Sequence, residues 1–462
     1  MRQNDHSIKY QQLRAAFPRF VYESCLVKKT AGGVHLVFEF SVNQELVFRP
    51  TMFFPNQGRF RVLPDGLLEV LAFHIGMVEM ISYWKAFCSP VILIRPFQLD
   101  PAKEEWWKKL FRYGLGEFFY TNGIEIPGEE IFEFEYAPEA FPFEKYRLPE
   151  QDESVIIPVG GGKDSVVTLQ LMKDFGGHHL PLVMNHRGAT RQVLEAGGYG
   201  LDDSLEIKRT LDPLLLELNT QGFLNGHTPF SALLAFLTTM AAALTGKKYI
   251  ALSNESSANE PSIPGTKINH QYSKSFEFEQ DFRDYLLEHF LEGIHYFSFL
   301  RPLNELQIGA LFARFPKYHG VFKSCNAGSK TDSWCCNCSK CLFTWTMLDP
   351  FLPQEQLLGI FGENLFEKAS LAPMLDQLIG VAENKPFECV GTINEVNAAL
   401  HRSIRKRQGE DLPVLLKHFG EHQPGESSLK GLEDFLTGFH SPHALEVPFV
   451  KLLKDALSKI GR

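Results

Sequence analysis

The chain has 462 residues, 46 basic and 55 acidic, for a formal net charge of −9. No global positive field exists to gather nucleic acid, so a nucleic-acid partner is not expected. The 40 phenylalanines point to an aromatic interior and exclude a disordered chain. The first ten residues lack the apolar core of a signal peptide. Five of the eight cysteines fall between Cys325 and Cys341. That bunching suits a metal site in a reducing compartment better than a disulfide framework, and a cytoplasmic protein is expected.

In chain order, residues 34–41 and 45–49 read as paired strands around a short polar turn. An amphipathic helix is expected over 67–87, a strand over 90–95, an aromatic-rich helix over 104–119 and an alternating strand over 131–136. Together they predict an α+β domain over residues 1–150 with no recognisable catalytic motif. Trp106, Trp107, Phe118, Phe119 and Tyr120 form either a ligand groove or, as such stripes more often do, core. The polar, proline-containing stretch 146–154 marks the boundary.

Residues 155–159 then form a short apolar, β-rich run of the kind buried in a parallel sheet. Gly160, Gly161 and Gly162 allow a tight turn and close approach to a ligand. From Asp164 the pattern is helical, with Val166, Leu169, Met172 and Phe175 on one face. Strand, glycine loop and helix N-terminus aim backbone N–H groups and a positive dipole end at one place, a site for a phosphate-bearing anion. The spacing is neither that of a Walker A loop nor that of a dinucleotide fingerprint. It resembles the S-G-G-x-D-S pyrophosphate loop of the N-type ATP pyrophosphatases, with Gly160 in place of the first serine.

Strands over 180–186, 205–210 and 249–255 alternate with helices over 190–196 and 232–244, and the last of these is too short to span a bilayer. This alternation predicts a doubly wound parallel sheet over residues 151–345, with ligands at the carboxyl ends of the strands. His186, Ser253, Asn254 and Glu255 lie at such ends. His227 sits in a Gly-Pro-bracketed loop as a ligand group or a solvated histidine, with equal weight. Residues 256–274 read as a long loop of the lid or binding type, with Asn269, His270, Tyr272, Ser273 and Lys274 as contact candidates. Cys325, Cys335, Cys338 and Cys341 give C-x9-C-x2-C-x2-C, with Cys336 out of phase. Zinc in a closed, structural site is favoured over an iron–sulfur cluster. The spacing resembles the zinc motif of 7-cyano-7-deazaguanine synthase.

From residue 346 the chain reads as a helical region. Thr392 opens a capping box with Glu395. The basic run 401–407 is a solvated helix end or, less often, a phosphate contact. Cys389 is a small core residue or an acid–base thiol.

Ile157-Pro-Val-Gly-Gly-Gly-Lys-Asp-Ser165, Asn225-Gly-His-Thr-Pro229, Asn269-His-Gln-Tyr-Ser-Lys274, the cysteine cluster and Lys385-Pro-Phe-Glu-Cys-Val-Gly391 together resemble the UDP-N-acetyl-α-D-muramoyl-L-alanyl-L-glutamate epimerase (MurL) family over most of the chain. That resemblance implies an adenine nucleotide alpha hydrolase-like fold and a nucleotide-linked small-molecule substrate. It implies ATP and Mg2+ as cofactors, inversion of a terminal L-glutamate in a peptidoglycan precursor, and release of AMP and pyrophosphate. Gly160, Gly161, Gly162 and Ser165 would hold the pyrophosphate, Lys163 would stabilise charge and Asp164 would meet magnesium. Val183 and Met184 would receive the adenine beside Ser253 and Asn254. His227, His270 and Cys389 are the unranked acid–base candidates. The alternatives are another adenylating enzyme of the pyrophosphate-loop type (7-cyano-7-deazaguanine synthase-like, tRNA-modifying or amide-forming) and a non-catalytic nucleotide sensor built on the same fold.

Overall fold

A computed structural model describes residues 6–125, 131–263, 266, 268–270, 272–422 and 432–460. The chain is α/β, with strands that pair in both orientations. It folds as two compact units. The first takes Met1–Ile156, Leu205–Ile250 and Lys267–Tyr296, and the second takes Ile157–Ser204, Ala251–Thr266 and Phe297–Arg462.

The first unit is built on a long antiparallel ribbon, Arg19–Thr30 with Gly33–Val42, in which Phe20 faces Val42 and Thr30 faces Gly33. Leu46–Phe48 and Thr51–Pro55 each pair antiparallel with Gly33–Val42. Leu205–Thr210 pairs antiparallel with Thr51–Pro55, so this sheet is mixed and not purely parallel. On the other side Val91–Ile94 and then Glu133–Tyr136 add in parallel. A bulge between Tyr22 and Ser24 leaves Glu23 outside the register, where its carboxylate accepts from Ser41 Oγ at 2.6 Å and Arg95 Nε at 2.7 Å. The extra residue re-aims a side chain, as bulges do.

Leu67–Trp84 is long and apolar enough to cross a membrane, yet it is buried along nearly all of its length as the unit's core helix. It packs against Arg19–Thr30 and against Phe230–Thr245. Gly76 makes the first contact possible: a Cβ there would lie 1.8 Å from Tyr22 Oη. Arg209 grips the buried Glu79 of this helix through two hydrogen bonds of 2.9 and 3.0 Å. The aromatic stripe resolves as core. Trp107, Phe118 and Phe119 are buried, and Trp107 stacks on Phe236 at 5.4 Å. The helix expected over 104–119 is two helices, Pro101–Gly114 and Gly116–Thr121, divided at Leu115 between two glycines.

His74 is the polar centre of this core. Its Nδ1–H donates to Val70 O at 2.7 Å and its Nε2 accepts from Tyr285 Oη–H at 3.0 Å, while Trp107 Nε1–H donates to Tyr285 Oη at 3.0 Å. His74 and Tyr285 each donate once and accept once, so a neutral imidazole satisfies the network.

The second unit contains the glycine loop, the strand Leu180–Met184, the helix Gly188–Ala196 and the helices after residue 300. Val159 N–H donates to Leu182 O at 2.9 Å, and Phe299 N–H to Leu252 O at 2.7 Å. Glu305–Ala313 starts with a capping box of Asn304 and Gln307, and Ile393–Lys406 with the expected one of Thr392 and Glu395. The basic run at the end of that helix is largely structural. Arg407 makes two hydrogen bonds of 2.6 and 2.7 Å to the buried Asp349, and Lys406 donates to the carbonyls of Asp349 and Leu352.

Burial pushes the His74 imidazole down to about 3. The unfolded chain therefore takes up a proton below about pH 6.5 that the folded chain refuses, and stability falls from there toward pH 3. We expect urea titrations to show a loss of a few kcal/mol on this limb, and His74→Gln to flatten it.

Candidate functional site

In the second unit the glycine loop leads into the helix Lys163–Met172, with Gly162 as its extended N-cap. The three glycines are not equivalent. Only Gly161 has a positive φ, +87°, and a Cβ there would come within 3.3 Å of Thr190 N and Oγ1. Gly161 O accepts from Lys323 N–H at 2.9 Å. A Cβ on Gly160 would meet nothing. The Ser165 hydroxyl donates back to Gly162 O at 2.9 Å.

Lys163, almost fully buried, donates to both Asp164 Oδ1 and Glu305 Oε2. Burial opposes its charge, but attraction from Asp164 and Glu305 outweighs burial and raises its pKa well above the ordinary value. Burial also pushes Glu305 up, because Lys163 only partly offsets it and the Asp164 and Glu255 carboxylates add repulsion. Lys163 sees two carboxylates and stays charged. The excess negative charge lies with the acids, and one more cation would relieve it. Asp164, Glu255 and Glu305 each place a carboxylate oxygen within 4.8 Å of the others, a set able to hold a metal ion. Oxygen-only donors suit magnesium or calcium.

Glu305 is fixed from behind. Its backbone N–H donates to Glu395 Oε1 at 2.7 Å, and the other Glu395 oxygen takes Thr392 N–H and Oγ1–H, both at 2.6 Å. The loop that carries Cys389 lies against the same centre. A Cβ on Gly391 would stand 3.1 Å from Glu305 Cγ, and Lys340 donates to Cys389 O. Val183 is buried and Met184 half-buried at the end of Leu180–Met184. Asn254 Nδ2 donates to Ser298 Oγ at 3.0 Å, and Ser253 Oγ is buried with no hydrogen-bond partner. Glu305 and Lys340 escaped sequence reading, and Glu395 was read only as the capping partner of Thr392. Asn304-Glu305-Leu306-Gln307 before an apolar run is a capping-box signature that could have marked the first of them.

The four cysteines expected to bind metal do converge. Cys325 and Cys338 sulfurs lie 3.8 Å apart, Cys335 and Cys341 3.8 Å, and Cys338 and Cys341 3.5 Å. A tetrahedron with metal–sulfur bonds of about 2.3 Å has edges of about 3.8 Å. The set fits one ion, whereas a cluster with each thiolate on a separate iron needs wider spacing. Backbone N–H groups of Gly328, Asn337 and Cys341 point at Cys325, Cys335 and Cys338 sulfurs. Hydrogen bonds, first from the Cys341 thiol, pull Cys338 well below the ordinary thiol range. Cys336 turns away and meets Phe361 O at 3.3 Å.

His227 and His270 lie in the first unit and come together there. Both turn Nδ1 to one oxygen of Glu117, His227 at 3.3 Å and His270 in a direct hydrogen bond, with ring centroids 4.7 Å apart. Burial, then the neighbouring His270, push His227 down to about 4, against the pull of Glu117. Of the 256–274 stretch, Pro264, Gly265, Lys267 and Gln271 lie outside the described residues. Tyr272 and Ser273 are buried, and Tyr272 packs on Tyr113 at 5.5 Å.

Residues 11–299 match the family described as MurL N-terminal domain, and residues 321–431 match MurL C-terminal domain. The chain belongs to the MurL family. It is 33% identical over 417 residues, 88% of this chain and 90% of the relative, to UDP-N-acetyl-alpha-D-muramoyl-L-alanyl-L-glutamate epimerase of Xanthomonas oryzae pv. oryzae. Proteins of the same name from a Micromonospora species and from Salinispora tropica are each 34% identical. The first match covers 82% of this chain and 84% of the relative, the second 78% of both. No solved structure matches the chain.

Lys163→Met strands Glu305 in the interior without its cation and should cost about 3 kcal/mol of unfolding free energy. Adding Glu305→Gln should restore most of that loss, as read by urea unfolding of the single and double variants. Cys338→Ser should remove one equivalent of bound metal by elemental analysis and lower Tm.

Proposed function

We propose that this MurL chain is an ATP-dependent epimerase that converts the terminal L-glutamate of UDP-MurNAc-L-Ala-L-Glu to D-glutamate, a step toward peptidoglycan. The observation that carries the reading is the extent of the match, 33–34% identity across most of both chains, to three proteins named for that reaction. The second unit adds a physical basis for ATP: a glycine loop at a helix N-terminus, a buried lysine beside it and three convergent carboxylates. These features support a place in the pyrophosphate-loop superfamily, with the adenine nucleotide alpha hydrolase-like arrangement around the loop.

A carbon next to a carboxylate is a poor acid, because its deprotonation builds a dianion. Attack of that carboxylate on the α-phosphorus of ATP forms an acyl–phosphate bond and releases pyrophosphate. The acyl-adenylate has lost the carboxylate charge, so its α-proton is far more acidic. A base takes that proton, an acid returns one from the opposite face, and water then yields AMP and the precursor with a terminal D-glutamate.

Backbone N–H groups at Gly160, Gly161 and Gly162 and the Ser165 hydroxyl receive the departing pyrophosphate, and Lys163 balances its charge. Asp164, Glu255 and Glu305 would hold Mg2+, which supplies charge neutralisation at the phosphates. Val183, Met184, Ser253 and Asn254 are assigned to the adenosine. Cys389 is assigned to proton transfer on one face, since its loop packs on the Glu305 centre. The cysteine set is assigned a structural Zn2+ because four protein ligands close the coordination sphere.

With ATP, Mg2+ and the L-Ala-L-Glu precursor, the protein should yield AMP, pyrophosphate and D-glutamate; AMP without D-glutamate, or neither, overturns the reading. Asp164→Asn should lower pyrophosphate release by roughly 100-fold or more. Cys389→Ala should go on consuming ATP while losing inversion at the α-carbon.

A further inference from the structure

The cluster of Glu117, His227 and His270 in the first unit has a donor set of its own, independent of the nucleotide reading of the second. We propose that these three residues form a site for a divalent transition ion, zinc in the first place, with one position open to water or an anionic oxygen. Their ligand atoms lie within 4.8 Å of one another. Two imidazoles and a carboxylate suit zinc and its transition-metal neighbours, and do not suit calcium, which takes oxygen donors. Three protein ligands, not four, are the mark of a site that keeps a position for an exogenous ligand.

The scaffold presents these side chains firmly. Glu117 is in the first turn of Gly116–Thr121, and His227 is on the loop that opens Phe230–Thr245. That loop is held at several points. Asn122 Nδ2 donates to Asn225 O at 3.1 Å, and Lys85 donates to Gly226 O and, at 2.9 Å, to Thr228 Oγ1. Gly114 lets Pro229 close on the preceding helix, since a Cβ at Gly114 would stand 2.9 Å from Pro229 Cβ. Gly226 has a φ of +155°, and a Cβ there would meet Phe118 at 3.2 Å. His270 is followed at once by the buried turn Tyr272–Lys274. A ligand set fixed by its own supporting contacts is what metal affinity requires.

The same loop also borders a cavity that none of the three ligand residues lines. Lys85, Arg209, Asn219, Asn225 and Thr228 line a cavity of about 180 Å³ on this loop. In this site His227 and His270 are ligands, and the acid–base role offered by the sequence falls away.

The test is cobalt substitution of the full-length protein, with Co2+ alone as the probe. The spectrum of wild type minus that of His270→Ala cancels everything bound by the cysteines and by the acidic centre. Visible d–d bands without thiolate-to-metal charge transfer are expected in the difference. Elemental analysis after zinc loading and desalting should give one equivalent less for His227→Ala, His270→Ala and Glu117→Gln than for wild type, with circular dichroism unchanged. A featureless difference spectrum, or zinc content equal to wild type in folded variants, overturns the site and leaves a hydrogen-bonded His–Glu–His trio. Should a variant fail to fold, the wild-type count decides: a second nitrogen- and oxygen-ligated zinc by X-ray absorption supports the site, and sulfur-only ligation overturns it.

Discussion

The ammonium of Lys163 lies buried between the carboxylates of Asp164 and Glu305, and the second unit's centre is arranged around that charge. An ammonium is expensive to remove from water unless carboxylates meet it. The arrangement answers that cost twice over, because Glu255 brings a third acid to the same place. Three carboxylates then stand around the Lys163 ammonium, and Lys340 adds a weaker attraction at Glu305. Oxygen donors gathered in this way are able to hold a divalent ion. The capping box of Thr392 and Glu395 serves the same centre, since Glu395 also receives the Glu305 backbone N–H. A device that normally only starts a helix here pins the residue on which the charge balance turns.

Much of the site could be read from residue order because local chemistry dictates it. A glycine run between an apolar strand and a helical pattern admits few conformations, and Gly161 adopts the left-handed one. Cysteines at C-x2-C-x2-C can be brought to one point only by a tight turn, and the 3.5–3.8 Å sulfur separations follow. The partners of these groups were hidden. Glu305 lies 142 residues after Lys163 in sequence, and Glu117 lies 153 before His270. Nothing local to an acidic residue tells which distant charge it will face.

The fold divides in the same way. The core helix Leu67–Trp84, the paired strands around the turn at 43–45 and the buried helix Phe230–Thr245 follow from hydrophobic periodicity. The long strand Arg19–Thr30 did not stand out, because its second half is largely exposed and carries Lys28 and Lys29. Pairing direction also lies outside periodicity. Leu205–Thr210 is apolar in alternation whether it runs parallel or antiparallel to its neighbour, and long-range packing decides.

The cysteine set, able to hold an ion, also stands at a junction of the second unit. Two residues before Cys325, the Lys323 N–H binds Gly161 O, and Ser324 stands against Gly162. After it, the Asp332 carboxylate accepts from Gly188 and Ala189 N–H at the start of the neighbouring helix. At its far end, Cys338 caps the helix whose Lys340 holds the Cys389 loop. The segment that carries the cysteines therefore ties together three parts of the second unit: the glycine loop, the helix beside it and the Cys389 loop.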